Sequence, residues 1–336
     1  MFKKLRVSIL GDGRIARAAE YYLKKNGIAA ESVFPLSKNR IVPSDLLIGA
    51  LAGDSGQQCL GLALKYRKNL LDISDVDPPF YLRKKEEIEK KGILVIPGCG
   101  FSPGLVNFIL GKELAVSGGA KEAEVSAGSL SRKKFLFPFL WCFEDLILEH
   151  KIPSWQVISG KNRKFPPFHS YRKERFFGIE AESYFCASGF ENLLKDSKVS
   201  NFKCRVIRPR GFMDFFNFLD NHGFLKNGYK DTTKRVLEGY KIDNLTLAQI
   251  GISTDKERII WKIKSFSRGG ERLNSMQKIT VGLPVVLAKM VLEGAFNKRG
   301  LLFAEDMGKD VSLFSALLPK IRKQGILLQR SVSTAR

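Results

Sequence analysis

The first sixteen residues constrain this chain more than any other stretch. Leu5–Leu10 is a short apolar run, and Gly11-Asp-Gly-Arg-Ile-Ala16 follows it directly. Ile15, Ala19, Tyr22 and Leu23 then recur at helical spacing. The order is strand, glycine turn, helix. Gly11 permits a tight turn, Gly13 lets a pyrophosphate approach the backbone, and the small Ala16 lets the helix lie close to its strand. The helix start offers free N–H groups and the positive end of a dipole to an anion. Gly11, Asp12, Gly13, Arg14 and Ile15 are therefore the candidate phosphate-binding loop. A glycine pattern of this kind also occurs at strand–helix junctions with no ligand.

Length and composition place limits on the rest. A chain of 336 residues suggests two domains, or one with a large insertion. With 44% hydrophobic and 27% charged residues it has material for a sizeable core. No signal peptide is expected, and no uncharged apolar run approaches the length of a membrane span. Cys59, Cys99, Cys142, Cys186 and Cys204 are scattered and lack metal spacing, so free thiols in a reducing cytoplasm and no metal site are expected. Lysine and arginine number 56 against 34 acids, a net charge of +22. Such a chain attracts phosphates, dicarboxylates, acidic lipid or nucleic acid. The excess is spread widely and no nucleic-acid motif accompanies it, so the expected partner is a small anionic molecule rather than nucleic acid or a membrane surface.

Along the chain, apolar strands alternate with helices as far as residue 117. Strands are expected at 28–34, 45–52, 69–75 and 92–97, and helices at 57–66, 80–91 and 106–115. This pattern predicts a Rossmann-type α/β fold, a doubly wound parallel sheet with right-handed crossovers. Ligands in such sheets sit beyond the carboxyl ends of the strands. Gly11 and Gly13, Gly53, Ser74 and Asp75, and Gly98–Gly104 stand at those ends. From residue 118 the pattern changes. Residues 202–208 and 259–265 alternate with period two, as antiparallel strands do, and 211–224 is an aromatic helix. An inserted α+β domain with a mixed or antiparallel sheet is expected over 118–277. Helices at 278–294, with Pro284 near the start, and 311–324, broken before Pro319, return to the first domain over 278–329. A disordered basic tail is expected over 330–336.

The order of segments resembles the saccharopine dehydrogenase-like family, the group of saccharopine reductase, lysine 6-dehydrogenase and carboxynorspermidine dehydrogenase. Leu71-Asp-Ile-Ser-Asp75 resembles the family's VDTSY, and Ile96–Leu105 resembles PGCGFDPGL, the most specific stretch of the set. Gly128-Ser-Leu130 with Trp141 and Glu144, Arg208-Pro-Arg-Gly211, and Ile279–Pro284 followed by Gly294, Gly300 and Glu305 are similar to further family segments. The resemblance implies a dinucleotide domain with an inserted substrate and dimer domain, and hydride transfer between a nicotinamide and the carbon of a C–N bond. It places Gly53, Gly98 and Gly100 beside the cofactor and Cys99 and Asp75 near the chemistry. Asp75 would bind an ammonium or act as general base, or simply cap the next turn. Ser74, Ser102 and Glu144 would line the substrate cleft. Arg208 would hold a substrate carboxylate bidentately, or pair with a structural acid.

The departures are specific. The acid expected at the end of the second strand is replaced by Phe34 or Pro35, and only a short loop separates Phe34 from Asp45, so a helix and a strand of the usual adenosine region are missing. Ser37, Lys38 and Arg40 either receive a 2′-phosphate, which favours NADP over NAD, or form a plain basic loop. Two readings follow: a cytoplasmic, dimeric NAD(P)-dependent oxidoreductase of amino-acid metabolism, or a non-catalytic binding or regulatory homologue with a degenerate cofactor site.

Overall fold

The computed structural model describes residues 5–74, 76–133, 136–137, 139–140, 142–186, 189–196, 198–226 and 228–334. Asp75 and Trp141 lie outside the described residues. The chain divides into two compact units. The first holds Met1–Val116, Ser188–Ser197 and Gln277–Ile326, and the second holds Ser117–Ala187, Lys198–Met276 and Leu327–Arg336.

The chain opens with β1 (Arg6–Leu10), α1 (Arg14–Lys25), β2 (Ala29–Val33), α2 (Lys38–Ile41), β3 (Leu46–Gly49), α3 (Gln57–Tyr66) and β4 (Asn69–Asp72). Next come α4 (Pro78–Arg83), α5 (Lys85–Lys91), β5 (Leu94–Ile96) and α6 (Leu105–Ser117). The helix expected over 80–91 is thus two helices that meet at Lys84, whose φ of −102° and ψ of 5° leave the helical region. The second unit adds β6 (Ala120–Ser131), α7 (Phe143–Glu149), β7 (Ser154–Ile158), β8 (Lys161–Phe165), β9 (Arg172–Phe176) and β10 (Ile179–Phe185). After α8 (Glu191–Asp196), it continues with β11 (Val199–Pro209), α9 (Phe212–Asn221), α10 (Lys230–Glu238), β12 (Asn244–Ser253) and β13 (Glu257–Ser267). The last elements are α11 (Ser275–Leu292), β14 (Gly300–Leu301), α12 (Ala304–Lys309), α13 (Val311–Arg322) and β15 (Leu327–Thr334).

The first unit is built on a six-stranded sheet in the order β14-β5-β4-β3-β1-β2, parallel at every pairing. Strands buried on both faces read as continuous apolar runs, and β3 and β5 are buried at every residue. Relative to the usual doubly wound order, the strand outside β2 is missing among the described residues, as the short 34–45 spacing predicts. Side chains cover the resulting edge. The Glu20 carboxylate accepts the Ser32 N–H (3.1 Å) and hydroxyl (2.6 Å), while Arg40 donates to the Ser32 carbonyl (2.7 Å) and to Glu31 (3.2 Å). Both backbone groups of an edge residue are thereby satisfied without a neighbouring strand.

Two prolines sit where the sequence argues against them. Helix α11 begins at Ser275, so Pro284 falls mid-helix, and Pro319 lies inside α13, which runs unbroken. Burial outweighs the lost hydrogen bonds: Leu283, Val285 and Leu287 are at most 1% exposed, and Leu317 and Ile321 are fully buried. By length and apolarity α11 also passes for a membrane span, yet it carries Lys278 and Lys289 and 72% of it is buried in the protein, as in a core helix.

The second unit holds a nine-stranded mixed sheet in the order β15-β13-β12-β6-β11-β10-β9, with β7 pairing β11 and β8 pairing β7. The alternation at 202–208 suggests an antiparallel strand. In fact β11 is antiparallel to β10 but parallel to β6. Both β6 and β11 begin where the chain enters this unit, stitched by the Ala120 N–H donating to the Lys198 carbonyl (2.9 Å), so they run the same way. The expected disordered tail is likewise corrected. Residues Leu327–Thr334 form β15, antiparallel to β13 from Thr334 to Leu327. The backbone ladder fixes this strand although most of its side chains are exposed.

Candidate functional site at the carboxyl ends of the parallel strands

The glycine loop ties three strands together. The Gly11 N–H donates to the Val33 carbonyl (3.2 Å) and the Ala50 N–H to the Leu10 carbonyl (3.0 Å). Gly11 has φ +130°, and a Cβ there would lie 2.6 Å from the Ala50 carbonyl oxygen, so the fold itself demands glycine. Gly13 differs. It is the N-cap of α1 with an ordinary φ of −66°, and nothing lies within 4 Å of an added Cβ. No contact inside the protein requires glycine at this position. Asp12 and Gly13 are exposed, and Arg14 and Ile15 half-buried. The loop is braced from outside: Arg17 Nε donates to the Asp12 carbonyl (2.8 Å), and Gln277 Nε2 to the Arg14 carbonyl (2.9 Å). The first turn of α1 carries no acid and no side chain caps it. An anion at this helix start meets free N–H groups in a cationic setting.

Gly53, at φ +52°, opens a single turn of 3₁₀-helix beyond β3. At the end of β4 stands a residue that sequence reasoning passed over. Asp72 is fully buried, one carboxylate oxygen accepting the Tyr81 hydroxyl (2.7 Å) and the other the Ser74 N–H (2.9 Å). Burial raises its pKa, opposed by these two donors. The Asp72 carbonyl takes the Cys99 N–H (2.9 Å), so this residue positions both the Ser74 turn and the loop after β5. Ser74 is buried, its hydroxyl 3.7 Å from the Cys59 sulfur. Cys99 is fully buried, and desolvation, reinforced by the charge of Asp72, pushes its thiol well above the ordinary range. A thiol so enclosed has little thiolate character.

The Gly98–Gly104 loop closes on itself. Gly100 and Gly104 form an isolated bridge, and the Gly104 N–H donates to Asn107 Oδ1 (3.1 Å). Ser102 is half-buried and precedes a cis proline. Asn107 donates to the Gly189 carbonyl (2.7 Å) and to Glu305 (3.4 Å), whose other oxygen accepts from Asn192 (2.9 Å). Glu305 is 2% exposed, and burial raises its pKa. Helix α12 brings it there by lying backbone-to-backbone on α6, where Gly111 and Gly308 leave no room for a Cβ. Asp72, Tyr81, Asn107 and Gln277 were not singled out by sequence reasoning. A polar residue inside an otherwise apolar strand or helix was the available signal.

Gly11–Ile15, Gly53, Ser74, Gly98–Gly100 and Ser102 thus belong to one strand-end surface of the first unit. Glu144 and Arg208 belong to the second unit, and both are paired. Glu144 accepts from Lys234 (3.0 Å), and although burial opposes its ionisation, that bond, the Lys234 charge and the bonds from its own backbone and Cys142 together hold the carboxyl below its ordinary value. Arg208, its side chain 4% exposed, donates to Glu149 (2.6 Å) and lies 5.5 Å from the centre of the Phe212 ring. Beside this pair His150 is buried among Phe168, Phe212 and Phe216, bonded to the Leu146 carbonyl (2.7 Å) and the Tyr184 hydroxyl (2.8 Å). Burial keeps the imidazole neutral and lowers its pKa from 6.5 to about 4.

A histidine pKa lowered by folding gives stability that is full above the unfolded value and is lost as pH falls. The second unit should lose about 3 kcal/mol through His150 between pH 6.5 and 4, at about 1.4 kcal/mol per pH unit. Urea unfolding across that window should show the loss, and His150→Gln should flatten it.

No family model and no curated protein matches the chain. Solved structures do. Apo saccharopine dehydrogenase (L-Glu forming) from Saccharomyces cerevisiae superposes with a TM-score of 0.75 at 14% identity, covering 98% of this chain and 100% of that one. Homospermidine synthase from Legionella pneumophila, solved in complex with NAD, gives a TM-score of 0.65 at 12% identity over 99% of this chain and 92% of that one. The fold is saccharopine dehydrogenase-like.

Proposed function

We propose that this protein is an NAD(P)-dependent oxidoreductase acting at a C–N bond of an anionic amino-acid or amine substrate, as a dimer in the cytoplasm. The observation that carries this reading is Gly13. Its backbone angles suit any residue and the space beside it is empty, so its glycine is explained by a ligand rather than by the fold. The fold of a solved NAD complex supports the same cofactor class. Gly11, Asp12, Gly13, Arg14 and Ile15 would hold the pyrophosphate, with Gly53, Gly98 and Gly100 bordering the rest of the dinucleotide. The nicotinamide, when bound, exchanges a hydride with the substrate carbon.

The remaining roles fall to this chain's own groups. Asp72 fixes the turn that holds Ser74. Asp75 would take the proton that the amine must lose before hydride can leave. Ser102 lines the substrate side. Glu31, the acid nearest the end of β2, is paired with Arg40, and Lys38 and Arg40 follow it, which favours a 2′-phosphate and hence NADP. A second reading, a non-catalytic homologue, draws on one observation: the adenosine side of the sheet ends at β2, its edge closed by Glu20 and Arg40.

Titration of the purified protein with NADPH and NADH, read by calorimetry, separates the two. Saturable micromolar binding, tighter for NADPH and followed by turnover with an imine or secondary-amine diacid, is the expected result. Binding without turnover on any such substrate favours the homologue reading. No binding of either nucleotide at millimolar concentration overturns the oxidoreductase reading and leaves the non-catalytic one.

A further inference from the structure

We propose that the first unit carries a second ligand site, a groove between α3 and the α4–α5 pair that takes a linear aliphatic carboxylate. The argument starts from Gly61. It stands in the middle of α3, where glycine is among the least favourable residues. Other helical glycines of this unit are required by packing. A Cβ at Gly111 would lie 2.3 Å from the Glu305 carbonyl oxygen, and one at Gly308 would lie 2.0 Å from that of Phe108. At Gly61 an added Cβ meets nothing within 4 Å. Neither close helix packing nor a left-handed backbone asks for glycine there.

The missing side chain leaves a groove of about 290 Å³, near the lower bound for small-molecule sites. Leu60 and Leu64, both buried, lie at its base, and the half-buried Phe80 lines it from α4. Its charge is one-sided. Glu87, the one acid of the lining, already holds Lys84 (3.1 Å). Lys65 and Lys91 also line the groove, and among the described residues neither has a carboxylate at ion-pair distance. Both stand at one end of it. Each is in the last turn of its helix, and Arg67, just past α3, donates to the Lys91 carbonyl (3.5 Å). A lysine in a last turn also complements the helix dipole, but that role asks for neither a groove nor an open glycine. An apolar trough that ends in two ammonium groups without an acid matches an alkyl chain with one terminal carboxylate. Gln57 to Lys65 span about 12 Å of helix, room for a chain of about eight to ten carbons. None of the lining residues belongs to the strand-end surface, so this site is separate from the proposed cofactor cleft.

The test is an NMR titration of the full chain with carboxyl-labelled octanoate at pH 8, with 1-octanol as the uncharged comparison. Saturable one-to-one binding of octanoate below about 1 mM is expected. Octanol should bind at least about 10-fold more weakly, and Lys65→Gln with Lys91→Gln should weaken octanoate by a similar factor. Gly61→Leu fills the groove and should abolish binding. Leucine is favoured over glycine in a helix, so this variant should raise Tm by about 2–4 °C, which separates a blocked site from a damaged fold. The control Lys85→Gln, Lys90→Gln removes as much charge from exposed α5 positions outside the groove and should retain binding. No saturable binding at millimolar octanoate, binding that survives Gly61→Leu, or octanol bound as tightly as octanoate would each overturn the proposal. So would displacement of octanoate by NADPH, or a dimer in ultracentrifugation that Gly61→Leu dissociates, which would assign the groove to a second copy of the chain.

Discussion

Replacing Gly13 by aspartate is expected to remove dinucleotide binding while leaving stability unchanged or slightly raised, and replacing Gly11 by alanine is expected to damage the fold itself. The two glycines sit two residues apart in one loop but for different physical reasons. At Gly11 a side chain meets both a left-handed backbone and the Ala50 carbonyl oxygen 2.6 Å away. The backbone penalty alone is about 1–3 kcal/mol. Relieving the collision means moving the Ala50 peptide, whose N–H holds β3 to β1. A total near 3 kcal/mol would lower Tm by roughly 6–12 °C for a unit of this size. At Gly13 an aspartate has room and an allowed φ, and it becomes the side-chain cap that α1 lacks, worth a few tenths of a kcal/mol. The same carboxylate faces the N–H groups meant for a pyrophosphate and repels it. NADPH affinity should fall at least about 100-fold, or about 2.7 kcal/mol. Thermal unfolding and NADPH titration of both variants check this. If Gly13→Asp binds NADPH normally, the loop is not a phosphate site.

The parallel sheet was legible in the sequence because its strands are short apolar runs punctuated by glycine and polar residues at their carboxyl ends. The missing outer strand was legible too, since 34–45 has room for the short α2 crossover from β2 to β3 but not for a further helix and strand. What tertiary contact decides was not. The parallel pairing of β6 with β11 depends on where the chain re-enters the second unit, a property of the route through residues 188–197 and not of any local pattern. The break at Lys84 lies inside a good amphipathic repeat. Asp72 and Glu305 look like ordinary acids in sequence, and only the packing shows them buried, with raised pKa, as supports for loops. Cys99 stands inside the most specific segment of the resemblance, yet its neighbours enclose it. Sequence located the strand ends that form the candidate site, while solvent access, which separates acting groups from positioning ones, came only with the packing.

Arg208 shows the same division, and its partner can be tested directly. Glu149→Ala should cost the second unit about 3 kcal/mol. Removing one member of a buried pair leaves the other charge uncompensated, which costs about 3–5 kcal/mol when both are enclosed. The Glu149 side chain keeps 27% of its exposure, so the lower end applies. Burial works against Glu149 ionising, but the Arg208 charge, neighbouring charge and the hydrogen bonds from Cys186 and Arg208 together lower the pKa. This stability is present above the unfolded carboxyl value and lost as pH falls through the folded one, so the penalty of Glu149→Ala should shrink in acid. The double variant Glu149→Leu, Arg208→Met should recover most of the loss, because packed apolar side chains replace a buried pair at little cost. Urea unfolding of the three proteins at pH 7 and pH 4 measures these differences. A double variant as unstable as Glu149→Ala would mean that Arg208 is held chiefly by its stacking on Phe212 and its backbone contact rather than by the ion pair. If Arg208 also binds a substrate carboxylate, that group must compete with Glu149. Glu149→Gln should then lower KM for a diacid substrate and leave KM for NADPH unchanged.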